Sequence, residues 1–284
     1  MRRHPDWLKV KIGSGEEYIK MKSLLRKAKL HTICEEAKCP NIAECFGSGT
    51  AVFLILGDTC TRNCQYCNVK HGIPGNINDN EPKEIAESVK KLGLSYVVIT
   101  SVTRDDLEDG GAYLFSETID EIRKIKSKCK IEVLIPDFKG DINSLKKIVN
   151  SKPDVINHNI EVVEELFPII RPEGDYNISL KILENIKKID KNMKTKSGFM
   201  IGIGEKKDQI IKTMQDLKNA DVDFLTIGQY LQPTKDHAKI KKYYTPAEFE
   251  EFKNIAINMG FKHVESGPLV RSSYHADKAI ANIG

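Results

Sequence analysis

The sequence predicts an α/β protein whose core is a partial (β/α)6 barrel, with a segment at each end of the chain folded over the barrel mouth. Three observations carry that expectation. Short apolar, β-branched runs alternate with longer amphipathic ones through the middle of the chain, and strict strand–helix alternation requires parallel strands joined by right-handed crossovers. The chain has 284 residues, a length at which barrels commonly form one domain. Its composition, 40% hydrophobic and 30% charged, is that of a globular chain with a large core, which excludes disorder.

The first strand is expected at Val52–Leu56, an unbroken apolar run closed by Gly57. Pro82–Leu92 follows as a helix with apolar residues three or four apart, then strand Tyr96–Thr100 and helix Leu114–Lys126. Strand Ile131–Ile135 leads to helix Ile142–Val149, strand Val155–His158 to helix Ile178–Ile189, and strand Phe199–Ile203 to helix Lys207–Asn219. Phe224–Gly228 is the sixth strand, and beyond it helix Pro246–Met259 and a short strand at Lys262–Glu265 belong to a C-terminal segment. The expected organisation is one structural domain in three stretches: an N-terminal extension over residues 1–50, the barrel core over 51–245, and a C-terminal helix and extension over 246–284. No internal linker and no sequence repeat with a period of about 20–50 residues interrupts it.

Several function classes drop out on composition. The formal net charge is only +4, and the lysines are spread along helices such as Asn185–Lys191, where they form solvated faces. No basic stripe interleaved with aromatics appears, so no nucleic-acid partner is expected. The longest strongly apolar stretch, Ala51–Leu56, is far too short to span a bilayer. Met1–Trp7 shows neither an apolar h-region nor an Arg/Ser-rich leader, which makes a cytoplasmic location the expectation.

Six of the seven cysteines fall into two triplets, Cys34-x4-Cys39-x5-Cys45 and Cys60-x3-Cys64-x2-Cys67, each one ligand short of a four-thiolate site. The seventh, Cys129, has no partner spacing and sits at a helix-to-strand junction as a bystander. An odd total fits poorly with a disulfide scaffold and well with reduced, metal-binding thiolates. Three soft thiolates on one short loop can hold three irons of a [4Fe–4S] cluster and leave the fourth open. A structural zinc site is the alternative, but it normally supplies four Cys or His ligands in paired spacing. In an α/β barrel, loops at the C-terminal ends of strands build the active site, and the Cys60–Cys67 loop follows the first strand directly.

The x3/x2 spacing with Tyr66 just before the last cysteine resembles the signature of the radical S-adenosylmethionine enzymes. That resemblance implies that the open iron takes the amino and carboxylate groups of S-adenosylmethionine, and that the reduced cluster releases a 5′-deoxyadenosyl radical. The stretch from His31-Thr32-Ile33-Cys34 through Cys39-Pro40-Asn41 to Cys45 is similar to the auxiliary-cluster motif of lipoyl synthases. The likeness covers nearly the whole chain: Arg3-x-Pro5-x-Trp7-Leu8, Thr100-Ser101-Val102-x-Arg104-Asp105-Asp106, Asn157-His158-Asn159-Ile160-Glu161, Arg171-Pro172, and Gly267-Pro268-Leu269-Val270-Arg271-Ser272-Ser273-Tyr274. In that family a serine of an Arg-x-Ser-Tyr motif is the fourth ligand of the auxiliary cluster, which selects Ser273 over Ser272. Adjacent residues of an extended segment point to opposite sides, so only one of the two serines is expected to reach the cluster.

The family resemblance implies the rest of the chemistry. The Cys60, Cys64 and Cys67 cluster generates the radical, and a second [4Fe–4S] cluster on Cys34, Cys39, Cys45 and Ser273 is consumed as the donor of two sulfur atoms. The substrate is a protein-bound octanoyl-lysine, sulfurated at C6 and C8. The implied partners are octanoylated lipoyl carrier domains (E2 subunits of 2-oxoacid dehydrogenases and the glycine cleavage H protein), an electron donor such as ferredoxin or flavodoxin, and an iron–sulfur carrier for cluster repair. Asn157, Asn159 and Glu161, at a strand end, can bond the ribose hydroxyls or the ammonium of S-adenosylmethionine. Gly202 and Gly204, at another, either let backbone N–H groups approach that ligand or make a tight turn. His158 is read as either a satisfied core histidine or a site group, Arg104-Asp105-Asp106 as an internal ion pair or a site element, and Arg171 as a carboxylate guide or a loop brace. Tyr66, Tyr113 and Tyr230 are expected to be packing residues. Two rivals share parts of the pattern: a biotin-synthase-like enzyme would have the second triplet without the first, and a ferredoxin-like carrier would use four cysteines per cluster.

Overall fold

A computed structural model of the protein describes residues 52–274 without a break and, before them, residues 5–9, 18–19, 22–23, 31–36, 39, 41–42 and 45. Eight strands form one sheet in the order β1-β2-β5-β6-β7-β8-β9-β10. These are β1 (His31–Thr32), β2 (Val52–Ile55), β5 (Tyr96–Ser101), β6 (Lys130–Leu134), β7 (Val155–Asn157), β8 (Lys194–Ile201), β9 (Phe224–Gln229) and β10 (His263–Gly267). β1 pairs with β2 antiparallel, and every later pair is parallel. Two short strands, β3 (Thr59–Cys60) and β4 (Lys70–His71), pair parallel outside it.

The crossovers are made by α2 (Glu81–Lys91), α3 (Ala112–Ile125), α4 (Ile142–Asn150), α6 (Tyr176–Ile189), α7 (Lys207–Asn219) and α8 (Pro246–Asn258). The short α1 (Ile33–Glu36) carries Cys34, and α5 (Phe167–Ile170) precedes α6. Three of these helices start at a side-chain cap. Asp141 accepts from the N–H groups of Asn143 and Ser144, Asp175 from Ile178, and Thr245 forms a capping box with Glu248 ahead of Pro246. Glu81, the first residue of α2, accepts from Leu56 N–H at 2.9 Å and so fastens the end of β2. Among the described residues the sheet stays open between β1 and β10, as a partial barrel does.

Two strands, β8 and β10, differ from the sequence expectation by more than one residue at an end. β8 begins five residues earlier than Phe199, at Lys194, because Thr195, Lys196 and Ser197 are buried polar residues that carry no apolar signal. β10 runs two residues past Glu265 and pairs along its whole length with β9. The sheet therefore extends through a seventh parallel strand beyond residue 245. No helix among the described residues is long and apolar enough to cross a membrane.

The barrel interior holds a buried polar layer. Lys196 Nζ lies 3.0 Å from Glu132 Oε1, and the Tyr96 hydroxyl donates to Glu132 Oε2 at 2.6 Å. Asn157 Nδ2 donates to Glu132 Oε1 at 3.1 Å. Four neighbouring strands thus converge on one carboxylate, and removing the cation would leave that charge in a dry interior. Lys196→Met should lower stability by about 3–5 kcal/mol, read from the urea unfolding midpoint at neutral pH, and adding Glu132→Leu should recover part of the loss.

Candidate functional site

The cysteine loop begins where β2 ends, and hydrogen bonds fix it to the loops of other strands. Thr61 N–H donates to Thr103 O at 3.0 Å, Gln65 N–H to Ile170 O at 2.8 Å, and Ala238 N–H to Gln65 O at 2.8 Å. His237 Nε2 donates to Cys67 O at 2.9 Å, and its Nδ1 meets the Thr234 hydroxyl at 2.8 Å. A carbonyl can only accept, so the imidazole carries its proton on Nε2.

Arg62 lies between the first two cysteines of this loop and is nearly inaccessible to solvent. Its Nε and Nη2 reach Asp105 at 2.7 and 3.0 Å, and its Nη1 and Nη2 reach Asp137 at 2.6 and 2.7 Å. Arg171 approaches Asp137 from another side at 3.6 Å. Burial alone would lower the Arg62 pKa, but the hydrogen bonds it donates to Asp137 and Asp105 outweigh it and move it up. Burial likewise opposes the Asp137 charge, yet Arg62 holds that carboxyl well below the usual carboxylate range.

The thiols are held in a dry setting. Burial pushes Cys67 up to about 12 and Cys64 up to about 11, and Cys34, buried beside Cys39, up to about 12. A metal held by these thiols would have to displace their protons. Cys60 Sγ accepts from Arg62 N–H at 3.4 Å and Thr103 N–H at 3.3 Å, the kind of donor that stabilises a cluster-bound thiolate.

At the C-terminal ends of the strands, a cavity of about 140 Å³ is lined by Cys60, Cys64 and Cys67. A second, of about 460 Å³, is lined by Cys34, Cys39, Cys67, Ser272 and Ser273. Tyr66, Asn159 and Glu161 line both. The N-terminal cysteine segment is stitched to the rest: Asn68 Nδ2 donates to Glu36 O at 2.9 Å, and Asn41 Nδ2 to Leu269 O at 2.6 Å. Three buried polar atoms on the smaller cavity's wall, Ser101 Oγ, His158 Nε2 and Asn159 Oδ1, have no partner within the protein. Unpaired buried polar atoms facing a cavity fit a polar ligand. Glu161 is a residue other than glycine at φ 70°; the hydrogen bonds Glu161 N–H to Gly198 O and Met200 N–H to Glu161 O hold it there. Burial raises its pKa, opposed by the Arg171 guanidinium.

Among the described residues, no three His, Cys, Asp or Glu side chains converge on a single ion. A four-iron cubane spreads its thiolates over separate irons and does not need three ligands on one ion.

Comparison with known proteins agrees with this geometry. The radical SAM superfamily matches residues 54–217, and the N-terminal domain of lipoyl synthase matches residues 1–39. A lipoyl synthase of Caldicellulosiruptor bescii is 54% identical, with 97% of this chain and 94% of that one aligned. One from Oceanobacillus iheyensis is 52% identical, over 99% of this chain and 90% of that one. The chain belongs to the lipoyl synthase family. Crystal structures of methylornithine synthase (TM-score 0.52, 14% identity, 89% of this chain and 79% of that one) and of the hydrogenase maturase HydG (TM-score 0.58, 14% identity, 94% and 79%) share the fold. S-adenosylmethionine and a [4Fe–4S] cluster are cofactors of the superfamily to which lipoyl synthases belong.

Against the residues named from sequence, the structure gathers Cys60, Cys64, Cys67, Cys34, Cys39, Asn159, Glu161 and Ser273 around the two cavities. The side chain of Asn157 is committed to Glu132 one layer below and lines neither cavity. Gly202 and Gly204 are also away from both. The N–H groups of Gly202, Ile203 and Gly204 all donate to the carboxylate of Glu205, at 2.6, 3.0 and 3.1 Å, so they form a closed turn rather than a ligand cradle. The two serines are not separated by strand alternation. Ser272–Tyr274 form a turn, closed by Tyr274 N–H donating to Arg271 O at 2.9 Å, and both serines line the larger cavity. Arg104 is an internal brace, bonded to Asp106 and Leu56 O.

Arg62, Asp137 and His237 were missed from sequence. Arg62 lies within the cysteine loop but is not a metal ligand type, and His237 has no local motif around it.

His158 gives a solution test of the site's dryness. Its Nδ1 sits 2.9 Å from Ile135 O, and burial, reinforced by Arg171, brings its pKa from 6.5 down to about 4. The unfolded chain then binds more protons between those values, so this histidine's contribution to stability is full above pH 6.5 and is lost as pH falls toward 4. Urea titrations of metal-free protein should show His158→Gln removing about 2 kcal/mol of the stability change between pH 7 and pH 5.

Proposed function

We propose that this chain inserts two sulfur atoms into a protein-bound octanoyl-lysine, at C6 and C8, to form the lipoyl group. The observation that carries this reading is the shared cavity, where Cys67 of one triplet faces Cys34 and Cys39 of the other and the serine turn. A one-cluster enzyme needs only the first set, and an electron carrier needs no cavity. C6 and C8 are unactivated carbons that no general base can deprotonate, so the chemistry belongs to cofactors and the protein's share is binding and orientation. When bound, a cluster on Cys60, Cys64 and Cys67 supplies the electron that cleaves S-adenosylmethionine, and one on Cys34, Cys39, Cys45 and Ser273 supplies the sulfur.

The protein's own groups divide the remaining work. Asn159, Glu161 and Arg171 present acceptor and donor groups to the amino, carboxylate and ribose groups of S-adenosylmethionine. Phe199, Met200, Leu231 and Val270 on the wall of the larger cavity give an alkyl chain apolar contact and keep water from the reacting carbons. Ser273, a hard oxygen donor among soft thiolates, is the ligand most easily released. The protein substrates are octanoylated lipoyl carrier domains, the E2 subunits of 2-oxoacid dehydrogenases and the glycine cleavage H protein. A ferredoxin or flavodoxin supplies electrons, an iron–sulfur carrier rebuilds the spent site, and the compartment is the cytoplasm.

Variants of the two triplets should separate. Replacing Cys60, Cys64 or Cys67 with Ala should abolish both 5′-deoxyadenosine release and product, whereas Ala at Cys34, Cys39 or Cys45 should keep some release and eliminate product. Mass spectrometry of an octanoylated lipoyl domain reads the product and chromatography of the reaction's small molecules reads 5′-deoxyadenosine; near-normal product from the second set would overturn the sulfur-donor assignment.

A stoichiometric limit follows as well. Without a repair system, purified protein should yield at most about one lipoyl group per chain, because a protein-bound group that is used up cannot cycle. Many turnovers on added sulfide, with the auxiliary cluster intact by Mössbauer spectroscopy, would point to another sulfur source.

A further inference from the structure

The segment that leads into the serine turn is held at two consecutive carbonyls. Asn41, buried within the first cysteine segment, donates from Nδ2 to Leu269 O at 2.6 Å across 228 residues of sequence. The next carbonyl, Val270 O, accepts from Arg271 Nη1 at 2.7 Å. It is also pressed so close to Gly228 that a Cβ there would stand 2.2 Å from the oxygen. Val270 N–H donates back to Gly267 O at 3.1 Å, which closes the turn on the β10 side. On the other side, Asn41 O accepts from Cys45 N–H at 2.9 Å. One residue thus touches the thiolate segment through its backbone and the serine turn through its side chain.

We infer that Asn41 is a positioning residue that sets the Arg271–Tyr274 turn, and with it Ser273, against the auxiliary thiols. The inference rests on Ser273 as the fourth ligand. Asn41 lines neither cavity; it ties together two segments that meet only in the folded chain. Local sequence cannot do this, because both serines face the same cavity and the turn could seat either. The anchored carbonyls of Leu269 and Val270 fix where that turn stands against the cysteine segment. The amide N–H is the part that matters. A carboxylate or an alkyl group of the same size gives Leu269 O no donor, and a buried acceptor is left unpaired.

The test uses the full chain with Cys60, Cys64 and Cys67 all replaced by Ala, so that all bound iron reports the auxiliary site. Asn41→Leu and Asn41→Asp are compared with Ser273→Ala and Ser272→Ala by iron analysis and Mössbauer spectroscopy, and amide exchange of residues 268–274 is followed in metal-free protein. The expected result is that both Asn41 variants keep thiolate-bound iron but lose the oxygen-ligated iron, as Ser273→Ala does. They should also yield the remaining thiolate-bound iron to a chelator about 10–100-fold more readily, the usual cost of losing a group that orients a metal ligand. Exchange of residues 268–274 should rise in both Asn41 variants and not in Ser273→Ala, which a direct ligand role would not produce.

Wild-type spectra and exchange in the Asn41 variants would overturn the inference while leaving Ser273 as ligand. Loss of all auxiliary iron in both variants would also overturn it, since Asn41 would then be holding the thiolate segment itself. An unchanged spectrum in Ser273→Ala, with the oxygen-ligated signal lost in Ser272→Ala, would overturn the Ser273 assignment instead. The Asn41 exchange result would then stand or fall by itself.

Discussion

Everything at the mouth of this barrel depends on the Arg62 fork. A loop carrying three thiols has no hydrophobic reason to hold one conformation, and its backbone is tied down mainly through single hydrogen bonds to neighbouring loops. Arg62 gives it a rigid planar anchor. One guanidinium spans Asp105, which follows β5, and Asp137, which follows β6, in two paired contacts. Taking three charges out of water is costly, so such a network is poor evidence for stability and better evidence for a requirement on geometry. Here the requirement is that Cys60, Cys64 and Cys67 keep a fixed relation to the strand ends where Glu161 and Asn159 stand. Arg171 extends the same charge network to the far wall and balances the buried Glu161 carboxylate.

How much of this was legible in the sequence depended on whether the signal was local. The cysteine triplets were, because metal-ligand spacing is set by the reach of a short loop. Strands such as Val52–Ile55 and Tyr96–Ser101 were, because two-sided burial writes them as apolar runs. The start of β8 was not. Lys196 is inside the barrel only because Glu132, 64 residues away, is there to receive it, and a lysine read alone signals a surface. Gly202 and Gly204 failed for a related reason: a glycine pair marks a backbone that can accept an anion, but the anion turned out to be the neighbouring Glu205. The side-by-side serines were misjudged because strand alternation was applied to a turn.

The cavities explain why so many polar groups are left half satisfied. Ser101, His158 and Asn159, which line the smaller cavity, each keep a buried atom with no protein partner. So does Asn157, whose Oδ1 is unpartnered while its Nδ2 serves Glu132 in the layer below. Polar groups that cost stability in the ligand-free protein are the ones a bound ligand would satisfy, and the buried neutral His158 belongs to the same account.

The bond from Asn41 to Leu269 also dictates an order of events. The two segments it joins are 228 residues apart, and at synthesis rates of about 5–20 residues per second the second emerges from the ribosome many seconds after the first. Cys60, Cys64 and Cys67 lie within eight residues and share one loop early, whereas the larger cavity can close only on a finished barrel. A truncated chain therefore leaves Cys34 and Cys39 without the serine-bearing wall opposite them, so completion of that cavity reports completion of the whole fold.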